Sequence, residues 1–127
     1  MIKKNELRIG NLVDYNGEIV KVSAITMSGI FTEDRKKIDF MQLNPIELTE
    51  KLAFSLGFDN SRKFKVLQIK CGSVFMEISK PKLMGEWQNT FCWVYNEFMF
   101  IEIPFIHTLQ NLFFILSMKE ELQLSST

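Results

Sequence analysis

Three groups of side chains in this sequence could do chemistry. His107 is the only histidine, and it lies in "PFIHTLQNLFFIL", Pro104 to Leu116. An imidazole titrates near neutral pH and serves as a general base or a metal ligand. A base needs an orienting carboxylate or a nucleophile beside it, and nothing in the spacing demands contact with Glu102, the nearest acid in sequence. A metal site needs further ligands; there is no second histidine, and the neighbouring amides Gln110 and Asn111 are poor transition-metal ligands. The reading with most weight is a first-turn histidine that hydrogen-bonds locally, its charged form disfavoured by the helix N-terminus.

The second group is Cys71 and Cys92, without the C-x-x-C spacing of redox and zinc motifs. Lys70 gives Cys71 a weak electropositive neighbour, but cysteine in a strand is commonly a buried small hydrophobe. The third group is aromatic. Phe91, Trp93 and Tyr95 share one strand face at period two, and with Trp87 they could stack bases of single-stranded nucleic acid; such a face is more often core. "EDRKK", Glu33 to Lys37, mixes signs as solvated turns do. No GxxxxGK[ST], GxGxxG opening a helix, HExxH or GxSxG occurs. No catalytic residue, metal or cofactor is therefore expected.

The bulk numbers point the same way. Fifteen basic and fifteen acidic residues cancel, so no global field recruits nucleic acid or an anionic membrane. At 127 residues the chain fits one domain, 1–127, able to bury roughly two-thirds of its unfolded surface. Twelve phenylalanines imply a large aromatic payload for that core. "MIKKNELRIGNLV" lacks the apolar stretch of a secretory signal, and two thiols suit a reducing cytoplasm. "FMFIEIPFIHTLQNLFFIL" is broken by Glu102, Pro104, His107, Gln110 and Asn111, so it reads as strand then helix rather than a membrane span.

The elements that must position these groups begin with "LRIGNLVDYNGEIVKVSAI". Asn16-Gly17 is the dipeptide of a two-residue type I′ hairpin. That turn sets Tyr15 opposite Glu18 and Val13 opposite Val20, and places Val13, Tyr15, Val20, Val22 and Ala24 on one face. "SGIFTEDRKKIDFMQL" predicts a second pair with a charged turn at 33–37. Together, over about 5–43, these short strands suggest an SH3-like β part. A helix at about 49–56 is capped by Thr49, favoured by Glu50, and stopped by Gly57 with Phe58 packing back toward Ala53. Leu48, Leu52, Phe54 and Leu56 supply its apolar surface. From about 62 to 103 the pattern is β: "FKVLQIK" and "SVFMEIS" flank Cys71-Gly72, and "NTFCWVY" and "FMFIEI" flank Asn96-Glu97. The loop "KPKLMGEW" separates these hairpins, with Pro81 and Gly85 breaking the pairing. A three- or four-stranded antiparallel sheet follows, packed by a C-terminal helix at about 105–117.

In that helix Phe105, Leu109, Leu112 and Leu116 recur at core spacing, widened by Ile106 and Phe113. His107, Gln110 and Asn111 fall at i, i+3 and i+4, a polar stripe on another face. The stripe is a candidate interaction surface.

Three blocks, "NELRIGNLVDYNGEIVKV", "NPIELTEKLAFSLGF" and "IHTLQNLFFIL", carry a resemblance. In order and content they resemble a family of small uncharacterised proteins common in Bacteroidetes genomes and their phages or mobile elements. That pattern has an ELRIGN-like hairpin, a P-I-x-L-T-E helix ending in L-G-F, and a closing H-x-L-Q-N-L-Y/F-F helix. The resemblance covers about a third of the chain and implies a shared α+β fold, with no activity to carry over. It makes His107, Leu109, Gln110, Asn111 and Leu112 characteristic positions. The family continues L-T-G-x-E-L where this chain has "LSMKEEL", so Met118 lets the helix run on where glycine would stop it.

The sequence thus predicts an α+β fold and a small cytoplasmic interaction protein of phage or mobile-element type. A protein partner is expected ahead of nucleic acid, which the zero net charge disfavours. The alternatives are a nucleic-acid-binding SH3-like module and an enzyme using His107.

Overall fold

The computed structural model describes residues 2–63, 65–83, 85–96, 99–117 and 122. It is a mixed α+β fold with N-terminal β-hairpins, a short central helix and a C-terminal helix. The chain divides into two compact units, residues 1–47 with 105–111, and residues 48–104 with 112–127.

In the first unit, β1 (Leu12–Tyr15) and β2 (Glu18–Lys21) pair as the turn dictates, with Val13 opposite Val20 and Tyr15 opposite Glu18. Asn16 and Gly17 both take positive φ, 51° and 86°, as a type I′ turn requires. The alternation then buries Val13 and Val22, with Tyr15 and Val20 packed against the same core as Ile2, Leu7, Ile30, Ile38 and Leu43. Strands β3 (Ala24–Ile25), β4 (Gly29–Phe31) and β5 (Lys37–Asp39) form a separate antiparallel ladder. Gly29 is required by close approach, because a Cβ there would overlap the Ile38 carbonyl and lie 2.9 Å from Asp39 Cα. The charged turn between β4 and β5 is organised by Thr32, whose N–H donates to the Lys36 carbonyl at 3.0 Å and whose hydroxyl bonds Asp34. That bond, foremost, holds the Asp34 carboxyl below its ordinary value. A 3-10 turn at Phe40–Gln42 follows, and Asn44 then bridges back to Asp14 of β1.

The second unit opens with α1 (Glu50–Ser55). Thr49 Oγ1 accepts from Leu52 N at 3.2 Å, and Gly57 at φ 107° ends the helix. Phe58 N donates to the Ala53 carbonyl and Gly57 N to that of Phe54, the two bonds of the Schellman stop. So short a helix buries one narrow face, through Ala53 and Leu56, and Phe54 turns outward. Five strands form an antiparallel sheet in the order β12-β11-β8-β7-β6: β6 (Asp59–Asn60), β7 (Val66–Cys71), β8 (Val74–Ser79), β11 (Cys92–Asn96) and β12 (Met99–Glu102). The strand beyond the expected three or four is β6, two polar residues with no alternation to betray them. Cys71 pairs with Val74, so the tight turn is Gly72-Ser73, one residue later than the sequence suggested. Gly72 stands at its first central position with φ 63°, where a II′ turn wants glycine. Glu97 of the expected Asn96-Glu97 turn lies outside the described residues.

Between the hairpins, "KPKLMGEW" is a ribbon rather than a bare loop: β9 (Lys82–Leu83) pairs with β10 (Glu86–Trp87), Lys82 opposite Trp87. Gly85 at φ 84° makes its turn instead of ending the pairing. Helix α2 spans Ile106–Ser117, and Met118, where the helix was expected to run on, lies outside the described residues.

Candidate functional site

The polar stripe of α2 is turned inward. Gln110 is 1% exposed; its Oε1 accepts from Leu12 N at 2.7 Å and its Nε2 donates to the Gly10 carbonyl at 3.1 Å. Asn111 Oδ1 accepts from Asn11 Nδ2 at 2.8 Å, while its Nδ2 donates to the Glu6 carbonyl at 2.9 Å. His107, 3% exposed, stacks on Phe105 with ring centroids 5.8 Å apart. Its Nε2 lies 3.6 Å from Glu6 Oε2, too long for a good hydrogen bond. Among the described residues its buried Nδ1 has no hydrogen-bond partner. Burial pushes the imidazole below its ordinary value, and the nearby Glu6 carboxylate pulls it only partly back. This buried, neutral ring beside a carboxylate lines neither of the two cavities described below.

These bonds join two sequence blocks. Glu6, Gly10 and Asn11 of "ELRIGN" meet His107, Gln110 and Asn111 of "HTLQN". Gly10 N donates to the Val22 carbonyl and Val22 N to that of Asn11, so the same segment also anchors the β1–β2 hairpin. The backbone groups of a tight turn, which a sheet would otherwise satisfy, are met by amide side chains from the helix.

Cys71 and Cys92 are buried and not joined by a disulfide. Burial first, then the charge of Glu102, raises the Cys92 thiol above its ordinary value, the wrong direction for a thiolate. Among the described residues no three His, Cys, Asp or Glu side chains converge as a metal site would need. No helix among them is long and apolar enough to cross a membrane.

The second unit holds an accessible cavity of about 430 Å³. Trp87 on β10 is 50% exposed and stands in its wall. Lys65 Nζ lies 4.8 Å and Lys82 Nζ 5.8 Å from the centre of the Trp87 ring. Lys80 Nζ lies 5.0 Å from that of Phe91, a buried residue just before β11. The positive φ of Lys65, 57°, belongs to a turn in which Val66 N donates to the Lys63 carbonyl at 3.3 Å. Leu67 adds apolar surface, and Glu50, Asn60 and Gln88 add one carboxylate and two amides. Among the described residues Lys80 and Lys82 have no carboxylate within ion-pair distance, unlike Lys63, which meets Glu77 at 3.0 Å. A second cavity of about 390 Å³ is lined by that Lys63–Glu77 pair with Arg62 and Phe75.

Of the expected aromatic face, Phe91 reaches the cleft, Trp93 sits in β11 away from its lining, and the side chain of Tyr95 lies outside the described residues. The lysines were not singled out from sequence. The signal available was "KPKLMGEW" itself, since a ribbon that turns at Gly85 sets Lys82 beside Trp87. No family model, curated protein or solved structure matches the chain.

Proposed function

We propose that this chain is a small non-catalytic interaction protein whose contact surface is the lysine-flanked aromatic cleft of its second unit. The observation that carries this reading is Trp87, half exposed under two ammonium groups in the wall of a 430 Å³ cavity. Exposed indole flanked by cations is recognition chemistry, offering a flat apolar face and charge together. The buried imidazole and raised thiol support a role without catalysis. The first unit serves as scaffold: a hairpin, a three-stranded meander, a 3-10 turn and a return bridge to β1 follow the order of an SH3-like half-barrel. Resemblance of the three blocks to phage- and mobile-element-borne proteins is the ground for placing it among such proteins.

A photo-crosslinking amino acid at Gln88, on the cleft, is compared with one at Ile19, exposed on β2. Expressed in cells, the Gln88 position yields adducts and the Ile19 position does not. Adducts from Ile19 alone would move the contact surface to the first unit and overturn the reading.

A further inference from the structure

The geometry of the cleft points to a ligand class: we propose that it binds a phosphorylated base, as presented by single-stranded nucleic acid. The inference rests on the reading of the cleft as the contact surface. Three features select this chemistry over a merely acidic partner. The first is the flat aromatic surface. Trp87 lies on a two-residue ribbon strand, half exposed, and a planar π-system covers such a face better than a carboxylate side chain does. The second is the charge pattern. Lys65, Lys80 and Lys82 are each held over a ring, at 4.8, 5.0 and 5.8 Å. An entering base exchanges an ammonium–ring contact for a stack, and the displaced ammonium remains beside it to meet the phosphate. The third is the polar inventory: the Glu50 carboxylate and the Asn60 and Gln88 amides can meet the donors and acceptors of a base edge. A carboxylate among three lysines is unhelpful to a site built for charge alone.

The cavity volume lies in the range of small-ligand sites, roughly 300–1,000 Å³, and suits one nucleotide unit rather than a duplex. Zero net charge removes long-range steering, so affinity comes from the patch itself. Three lysine–phosphate contacts predict a log–log salt slope of about −2 for a single strand. Binding then weakens about a hundredfold for each tenfold rise in salt.

The test is a fluorescence-anisotropy titration with a labelled ten-residue single-stranded DNA of mixed A and C at low salt. Competitors are the matching duplex, AMP, inorganic phosphate and poly-glutamate. The single strand binds and outcompetes the duplex; Trp87→Ala weakens it at least tenfold, and Trp87→Phe restores part of the loss. Lys80→Gln and Lys82→Gln each flatten the salt slope by about 0.7, while Lys36→Gln, beside Tyr15 in the first unit, leaves it unchanged. In a Trp93→Phe background Trp87 is the sole indole, and its fluorescence is quenched on binding. Competition by AMP at the strand's own strength per site assigns the cleft to free nucleotides, the same chemistry from another source. Binding that poly-glutamate displaces equally and Trp87→Ala leaves intact overturns the base-stacking claim, yet leaves the Gln88 crosslinks standing. No binding of strand or AMP at about 50 mM salt, where phosphate contacts are strong, overturns the ligand class outright.

Discussion

The α2 stripe and the Trp87 cleft put their polar and aromatic groups to opposite uses. In the stripe, amides that would be ordinary on a helix surface turn inward to the Glu6–Leu12 segment, Gln110 fully buried on backbone partners and Asn111 partly buried on Asn11 and the Glu6 carbonyl. In the cleft, an indole that would fill a core is left half in solvent with lysines over it. Buried amides are constrained by the cost of unsatisfied partners, which is a stability matter. An exposed aromatic with cations costs little to remove from the fold, so its effect falls on what it touches outside. Stability and binding should therefore separate cleanly between the two regions, and four changes measure how far.

The largest effect is expected at Gln110→Leu. It preserves apolar volume but leaves Leu12 N–H and the Gly10 carbonyl without the partners they have now. Two buried groups stripped of hydrogen bonds cost about 3 kcal/mol together. Denaturant unfolding measures the total, and amide exchange at Leu12 localises it, since that N–H should lose its protection first. Oligonucleotide affinity at a temperature where the variant is folded should not move. If it fell with stability intact, the division of labour would be wrong.

Asn111→Ala comes next, at about 1.5 kcal/mol, because it removes two bonds from a more accessible position. Asn11, itself fully buried, loses the acceptor for its Nδ2. A double variant with Asn11→Ala should cost less than the sum of the single changes, since one bond is shared. Additivity would show that the contact carries no coupling.

How much of this was legible depended on whether partners lay close in sequence. Asn16-Gly17 specified a register and Thr49 with Gly57 specified both helix ends, because each signal is local. The i, i+3, i+4 spacing of His107, Gln110 and Asn111 showed that they share a face, but not what that face meets. Their partners, Glu6 to Leu12, lie near the other end of the chain, and the stripe looked equally suited to a foreign surface. "KPKLMGEW" was misjudged for a different reason. Pro81 and Gly85 are breakers in a long strand, yet in a ribbon of two-residue strands the glycine makes the turn. The lysines went unnoticed because a net charge of zero averages over the chain and hides Lys80 and Lys82 of one short ribbon gathered with Lys65 from the neighbouring hairpin.

His107 supplies a pH signature for the stripe alone. Its folded-state value is depressed, so the unfolded chain binds the proton more readily. Stability is full above the unfolded value of about 6.5 and is lost as pH falls from there through the lower folded value. Denaturation midpoints taken downward from pH 8 should decline through this window. His107→Phe, which keeps a ring for Phe105 to stack on, should flatten that part of the profile. A profile rising toward acid would mean that Glu6 outweighs burial and that the ring is charged in place.

Trp87→Ala should have the smallest effect on stability and the largest on binding. Its ring is half in solvent, and its interactions with Lys65 and Lys82 are exposed cation–π contacts, worth about 0.5–1 kcal/mol where solvent reaches them. The strand it sits on pairs over two residues, so little cooperative structure depends on the side chain. A loss below about 1 kcal/mol is expected in unfolding, against at least a tenfold loss in oligonucleotide binding. A loss of 3 kcal/mol or more, the scale of a large core truncation, would mean that the indole holds the ribbon in place and that the lysines above it are packing. The two regions would then differ in accessibility but not in purpose, and the cleft would lose its claim to be the working surface.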